Sequence, residues 1–137
     1  MQYAVHIEQE GSHYIATFMD SALTGVTQGE TLAEALDMAE DMLLCNIEDF
    51  FDMDEAVPDA VARGDHYVRL SLLVRMKVLL HNEMLKQHIS KAQLARLLDT
   101  TPQEIRRILR VRHNTQPAML EQALAALNTH VDLAVTA

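Results

Sequence analysis

The chain has 137 residues, 49% of them apolar, enough for one ordinary core or two small ones. One Cys cannot close an internal disulfide, no apolar run nears the roughly 20 residues of a membrane span, and the opening MQYAVHIEQE lacks the basic and apolar regions of an export signal, so a cytoplasmic, globular protein is expected. The net charge of −9 conceals a split: 15 acidic residues and one basic residue through Asp65 (net −14), then 5 acidic and 10 basic residues from His66 onward (net +5).

The first elements read as strands. Tyr3, Val5 and Ile7 alternate with smaller or polar residues, the period of a half-buried strand. Gln9-Glu10-Gly11-Ser12 is a turn, with Gly11 able to take a positive φ. Tyr14, Ala16 and Phe18 continue the alternation on a second strand, and a third is expected over Leu23 to Thr27. Thr31-x-x-Glu34 has the form of a capping box, which satisfies unpaired N–H groups at a helix start. Leu32, Ala35, Leu36, Ala39, Met42, Leu43, Ile47 and Phe50 follow at helical spacing, with Glu34, Asp37, Asp41 and Glu48 on the opposite side. Like charges three or four residues apart cost a helix about 0.2–0.5 kcal/mol per pair. A basic partner would offset that cost, and a solvated acidic face is the plain alternative.

The stretch from Asp52 to Asp65 contains Pro58, Gly64 and several acids without a sustained apolar period, and reads as a linker. It divides an acidic module, residues 1–65, from a basic one, residues 66–137. The second module begins with a short strand from His66 to Leu70 and a helix from Leu72 to about Gln87. In SKAQLARLLDTTPQEIRRILR, Ser90-x-x-Gln93 and Thr101-x-x-Glu104 are two capping boxes eleven residues apart, with Pro102 at the first helical position. Leu94, Ala95 and Leu98 face inward on the first helix, and Ile105, Ile108 and Leu109 on the second. This is the pattern of a helix-turn-helix, with Asp99 at the turn position usually held by Gly.

Gln103, Arg106, Arg107 and Arg110, spaced 0, 3, 4 and 7, form one outward stripe on the second helix. Gln pairs with adenine, and Arg with guanine or phosphate. The expected DNA-binding residues are therefore Lys91, Thr101, Gln103, Arg106, Arg107 and Arg110, with a merely solvated stripe as the alternative. Met119 to Leu127 forms one more helix, and Val131-Asp132-Leu133-Ala134-Val135 alternates like a strand. Such a strand needs a partner, and its copy in a second subunit is a candidate.

A nuclease is the rival reading, with Glu8, Asp20 and Glu40 or Asp41 as metal-binding carboxylates, although the chemistry needs several that converge. No metal or other cofactor is expected. His6 with His13 across a hairpin, or His81 with His88, supplies only two ligands of the four in a closed zinc site. Cys45 reads as a core filler among Leu43, Leu44 and Ile47, and the eight Met residues read as core.

Thr27-Gln28-Gly29-Glu30-Thr31-Leu32-Ala33-Glu34-Ala35, preceded by three short strands, resembles the HicB antitoxins of bacterial toxin–antitoxin pairs. Phe50-Phe51-Asp52, the strand near Tyr67 and the helix-turn-helix follow in the same order, so the resemblance spans essentially the whole chain. Many members carry Pro before TQGET, whereas this chain has Asp20-Ser21-Ala22-Leu23-Thr24-Gly25. The resemblance implies an α+β protein, with a partial RNase H-like domain joined to a DNA-binding domain. It further implies a non-enzymatic antitoxin that neutralises a small basic HicA-like RNase, with Glu34, Asp37, Asp41 and Glu48 as candidate contacts. It would repress its own operon at operator DNA as a homodimer or tetramer. A stand-alone repressor without a toxin partner is the alternative.

Overall fold

A computed structural model describes residues 1–136. In chain order it contains β1 (Gln2–Glu10), β2 (His13–Phe18), β3 (Val26–Gly29), α1 (Leu32–Asp52), β4 (His66–Arg69), α2 (Leu72–Lys86), α3 (Lys91–Leu97), α4 (Pro102–Ile108) and α5 (Pro117–Ala126). The protein is α+β, with a four-stranded antiparallel sheet in the order β3-β2-β1-β4. The chain divides into two compact units: Met1–Met53 with Val57–Ser71, and Asp54–Ala56 with the chain from Leu72 onward.

In the first unit the register places Tyr3 opposite Val68, Val5 opposite Phe18 and Ile7 opposite Ala16. Directly opposed residues share a face, so Tyr3, Val5, Ala16 and Val68, all buried, form one apolar face. α1 packs on it with Ala35, Ala39, Leu43 and Ile47. The other face carries the exposed His6, Glu8, Gln28 and Tyr67. His6 lies opposite Thr17 and His13 opposite Glu10, so the two histidines do not face each other as expected.

The TQGET segment has a steric reason for its glycine. A Cβ on Gly29 would strike the backbone nitrogen of Ala35 and lie 2.8 Å from the Glu34 carbonyl carbon. Only glycine lets β3 run this close to the first turn of α1. Thr31 caps that turn, its hydroxyl accepting from the Glu34 N–H at 3.0 Å. The third strand starts later than the alternation suggested because residues 20–25 are taken up by a loop. Asn46, buried on α1, holds it as a backbone partner would: its amide donates to the Thr24 carbonyl and its oxygen accepts the Thr24 N–H, both at 2.9 Å.

Three expectations change. The stretch after α1 is not a loose linker. Val57 is buried, Tyr3 Oη donates to the Pro58 carbonyl at 2.8 Å, and Asp20 accepts from the N–H groups of Val61 and Ala62 at 3.2 and 3.0 Å. Burial first, with Asp59 and Asp20 adding, pushes the Tyr3 hydroxyl up to about 12, so it remains a donor. Second, residues 66–71 belong to the sheet unit, because β4 pairs with β1. The compact first unit therefore reaches Ser71 rather than Asp65. Third, residues 129–136 carry no strand. Leu133 and Val135 are exposed, and an alternating segment forms a ladder only when a second strand lies beside it. The methionines also differ from expectation: Met84 is buried, but Met19, Met38 and Met53 are exposed.

A fragment ending at Asp65 loses β4 together with the buried Val68 and Leu70. Each such loss costs roughly 2–5 kcal/mol by the measure of large-to-small core substitutions, a large share of a small domain's stability. We expect residues 1–71 to unfold cooperatively on heating and residues 1–65 to show no cooperative transition. Thermal melts of the two fragments by circular dichroism check this.

Candidate functional site

In the second unit, α3 and α4 are each seven residues long, too short to persist alone. Their ends are fixed locally. Ser90 and Gln93 form a complete capping box, with reciprocal bonds of 3.1 and 2.8 Å. Thr101 accepts from the Glu104 N–H at 3.2 Å, and Pro102 opens the helix. Between the two helices Asp99 takes a left-handed conformation, φ 54°. There its N–H reaches the Arg96 carbonyl and the Thr100 N–H reaches that of Ala95. This ends α3 as a glycine would and turns the chain into α4. Leu94, Ala95, Ile105, Ile108 and Leu109 are buried as expected, with Leu120, Ala123 and Leu124 of α5, while Leu98 is half-buried.

The expected DNA-binding residues gather on and around α4. Gln103, Arg106 and Arg107 are exposed on the helix. Arg107 is engaged with Glu104 at 3.4 Å. Arg110 is exposed but lies beyond the helix, which ends at Ile108 with Leu109 as its cap, so the four residues do not share one helical stripe. Thr101 is exposed, and its hydroxyl proton is available while its oxygen caps the helix. Lys91 opens α3 and stands 3.9 Å from Asp54, a partly exposed pair worth little in water.

Two buried polar groups in this unit lay outside the expected set. Lys77 of α2 is fully buried, and its ammonium donates to the carbonyls of Arg110 and His113, both at 2.5 Å. Burial lowers its pKa to about 8. His81, one turn further along, is also buried, and its Nε2–H donates to the Glu55 carbonyl at 2.7 Å. Burial lowers its pKa, partly offset by that bond. Either could have been noticed as a polar residue interrupting the apolar run of α2, but nothing in the sequence names their acceptors.

In the first unit, Glu34, Asp37 and Asp41 are exposed on α1 and Glu48 is half-exposed. Their spacing keeps them on the side opposite Ala39, Leu43 and Ile47, over about 20 Å of helix. Cys45, expected in the core, is exposed there instead, because it follows Asp41 by four residues and precedes Glu48 by three. The carboxylates considered for metal do not converge. Glu8 is on the open sheet face, Asp20 is buried against backbone N–H groups, and Glu40 and Asp41 are exposed on α1. Among the described residues, no group of three or more His, Cys, Asp or Glu is placed to hold a metal ion. Among them, too, no helix is long and apolar enough to cross a membrane.

The chain is thus an α+β protein with an acid-faced helix on its sheet and a basic second unit of short helices. Residues 2–79 match the family described as the HicB-like antitoxins of bacterial toxin–antitoxin systems. The chain is 38% identical over 135 residues to Antitoxin HicB 2 of Photorhabdus laumondii, spanning 97% of this chain and 95% of that protein. It is 34% identical over 122 residues to Antitoxin HicB of Escherichia coli K12, 88% of each chain. Against Antitoxin HicB of Pseudomonas fluorescens it is 30% identical over 140 residues, 99% and 94% of the two chains. The chain belongs to the HicB-like antitoxin family.

The left-handed turn supplies a test of the α3–α4 geometry. A β-branched side chain at φ 54° is disfavoured by roughly 1–2 kcal/mol, whereas glycine is not. Asp99→Val should lower the melting temperature, and Asp99→Gly should leave it unchanged or raise it. Differential scanning calorimetry of the two variants beside the wild type decides.

Proposed function

We propose that this antitoxin neutralises a small basic HicA-like RNase through its first unit, a partial RNase H-like fold. The observation that carries the reading is the acidic face of α1. A nuclease that grips RNA presents cationic groups, and a rigid row of carboxylates can occupy the same groups. Glu34, Asp37, Asp41 and Glu48 supply that row. The match to the antitoxin family, which covers this entire unit, supports it.

The second unit represses the operon in this reading. α3 and α4 act as a helix-turn-helix, with α4 entering the major groove. Gln103 and Arg106, exposed on α4, read bases, while Arg110 and Lys91 take phosphates, and Thr101 donates its hydroxyl proton to a phosphate near the helix start. Arg107, paired with Glu104 at the surface, serves either role. Operators for such motifs are commonly two-fold, and the alternating tail from Val131 to Val135 offers a strand for pairing two copies. The protein so described is a cytoplasmic, non-catalytic homodimer or tetramer.

Two measurements test these roles. Asp37→Lys with Asp41→Lys reverses two charges on an exposed face and leaves the core intact. Binding to a small basic HicA-like RNase should weaken by tenfold or more, about 1.4 kcal/mol, in isothermal titration. Undiminished affinity would move the toxin contact off α1.

On DNA, Arg106→Ala should lose about 1–3 kcal/mol on the operator and less on scrambled duplex. Arg110→Ala should weaken both alike and reduce the salt slope by about 0.9. Fluorescence anisotropy over a salt series separates the two, and no change in either would remove α4 from the groove.

A further inference from the structure

We infer that Lys77 is a positioning residue for the DNA interface, its buried ammonium gripping the carbonyls of Arg110 and His113 and so fixing the segment that follows α4. This rests on the DNA-binding reading above.

α4 is seven residues long and its last carbonyls have no helical partners. Three carbonyls at the end of α4 and just after it accept bonds from side chains outside the helix. The Thr115 hydroxyl donates to Ile108 at 3.0 Å, and Lys77 takes Arg110 and His113, both at 2.5 Å. The main chain of Arg110 is therefore fixed while its side chain is exposed, and Arg112, also exposed, follows within the same clamp. A methionine would fill the same space without bringing a cation out of water, and a buried ammonium is expensive. What the lysine adds is a charge-assisted bond to each carbonyl and a positive charge beside the main chain that carries the two arginines.

The lowered pKa of Lys77, due to burial, means that it loses its proton above about pH 8. Other titratable or charged groups on the surrounding elements are Arg75, His81, Glu83 and Lys86 on α2, Arg110, Arg112 and His113 on the segment after α4, and Glu121 on α5. DNA phosphates close to Arg110 favour the charged form of Lys77, so by linkage affinity falls as pH rises through its pKa.

The test uses the full chain with duplex DNA from the region upstream of its own gene, and a scrambled duplex of equal length. Affinity is measured at fixed ionic strength from pH 7 to pH 9 for the wild type and for Lys77→Met. Every other titrating group is common to both, so the difference between the profiles belongs to Lys77. If phosphates raise the Lys77 pKa by one unit, wild-type affinity falls about fivefold across this range. Lys77→Met should bind more weakly at pH 7 and show a flat profile, with a cooperative melt showing that it folds. If Lys77→Met does not fold, Lys77→Gln, which keeps a donor without the titrating charge, takes its place in the comparison, and a pH-independent wild type overturns the proposal in either case. Arg106→Ala and Arg110→Ala run in parallel. If they weaken binding while Lys77→Met matches the wild type in affinity and pH profile, DNA binding stands and Lys77 is only a core filler. If neither arginine matters, the DNA reading falls and this inference with it.

Discussion

The pairing of β1 with both β2 and β4 is the constraint on which the first unit depends. β2 follows β1 by a tight turn through Gly11, a local contact. β4 arrives only after α1 and the segment that follows it, and its residues 66–69 pair with residues 2–5. Closing so long a loop is entropically costly, and the cost is met only when Tyr3, Val5 and Val68 are buried together under α1. The intervening chain is then held against the strands by Tyr3 and Asp20, which turns an apparent linker into part of the core.

The buried polar side chains follow a common logic. Asn46, Asp20, Lys77 and His81 each bond to the backbone of an irregular segment. A loop beside a core has N–H and C=O groups that must be paired, and the loops here pair some of them internally, as the His113 N–H does with the Arg110 carbonyl. A polar residue set into an otherwise apolar helix does so from outside. The helices thereby supply both the apolar faces and the fixed points for the loops between them.

The two units also segregate the chain's electrostatics by helix face. On α1 the apolar side is occupied by the sheet, which leaves carboxylates about 20 Å along the outer side. On α4 the apolar side packs against α3, which leaves Gln103, Arg106 and Arg107 outward. In the folded protein, packing decides which residues each helix shows to a partner.

Much of this was legible from the residues alone. The capping residues Thr31, Ser90 and Thr101 marked three helix starts correctly, because a cap is a contact between residues three apart. The alternation of Tyr3, Val5 and Ile7 marked a strand, the apolar period marked the buried side of α1, and the left-handed tolerance of Asp99 anticipated its φ of 54°. Most of what escaped was set by contacts across the chain. The membership of β4 in the first sheet and the acceptors of Lys77 and His81 depend on residues tens of positions away, whereas the exposure of Cys45 follows from its helical spacing to Asp41 and Glu48. Periodicity reports which side of an element is apolar. Only tertiary structure determines what lies against that side, and therefore which polar groups must be buried to complete it.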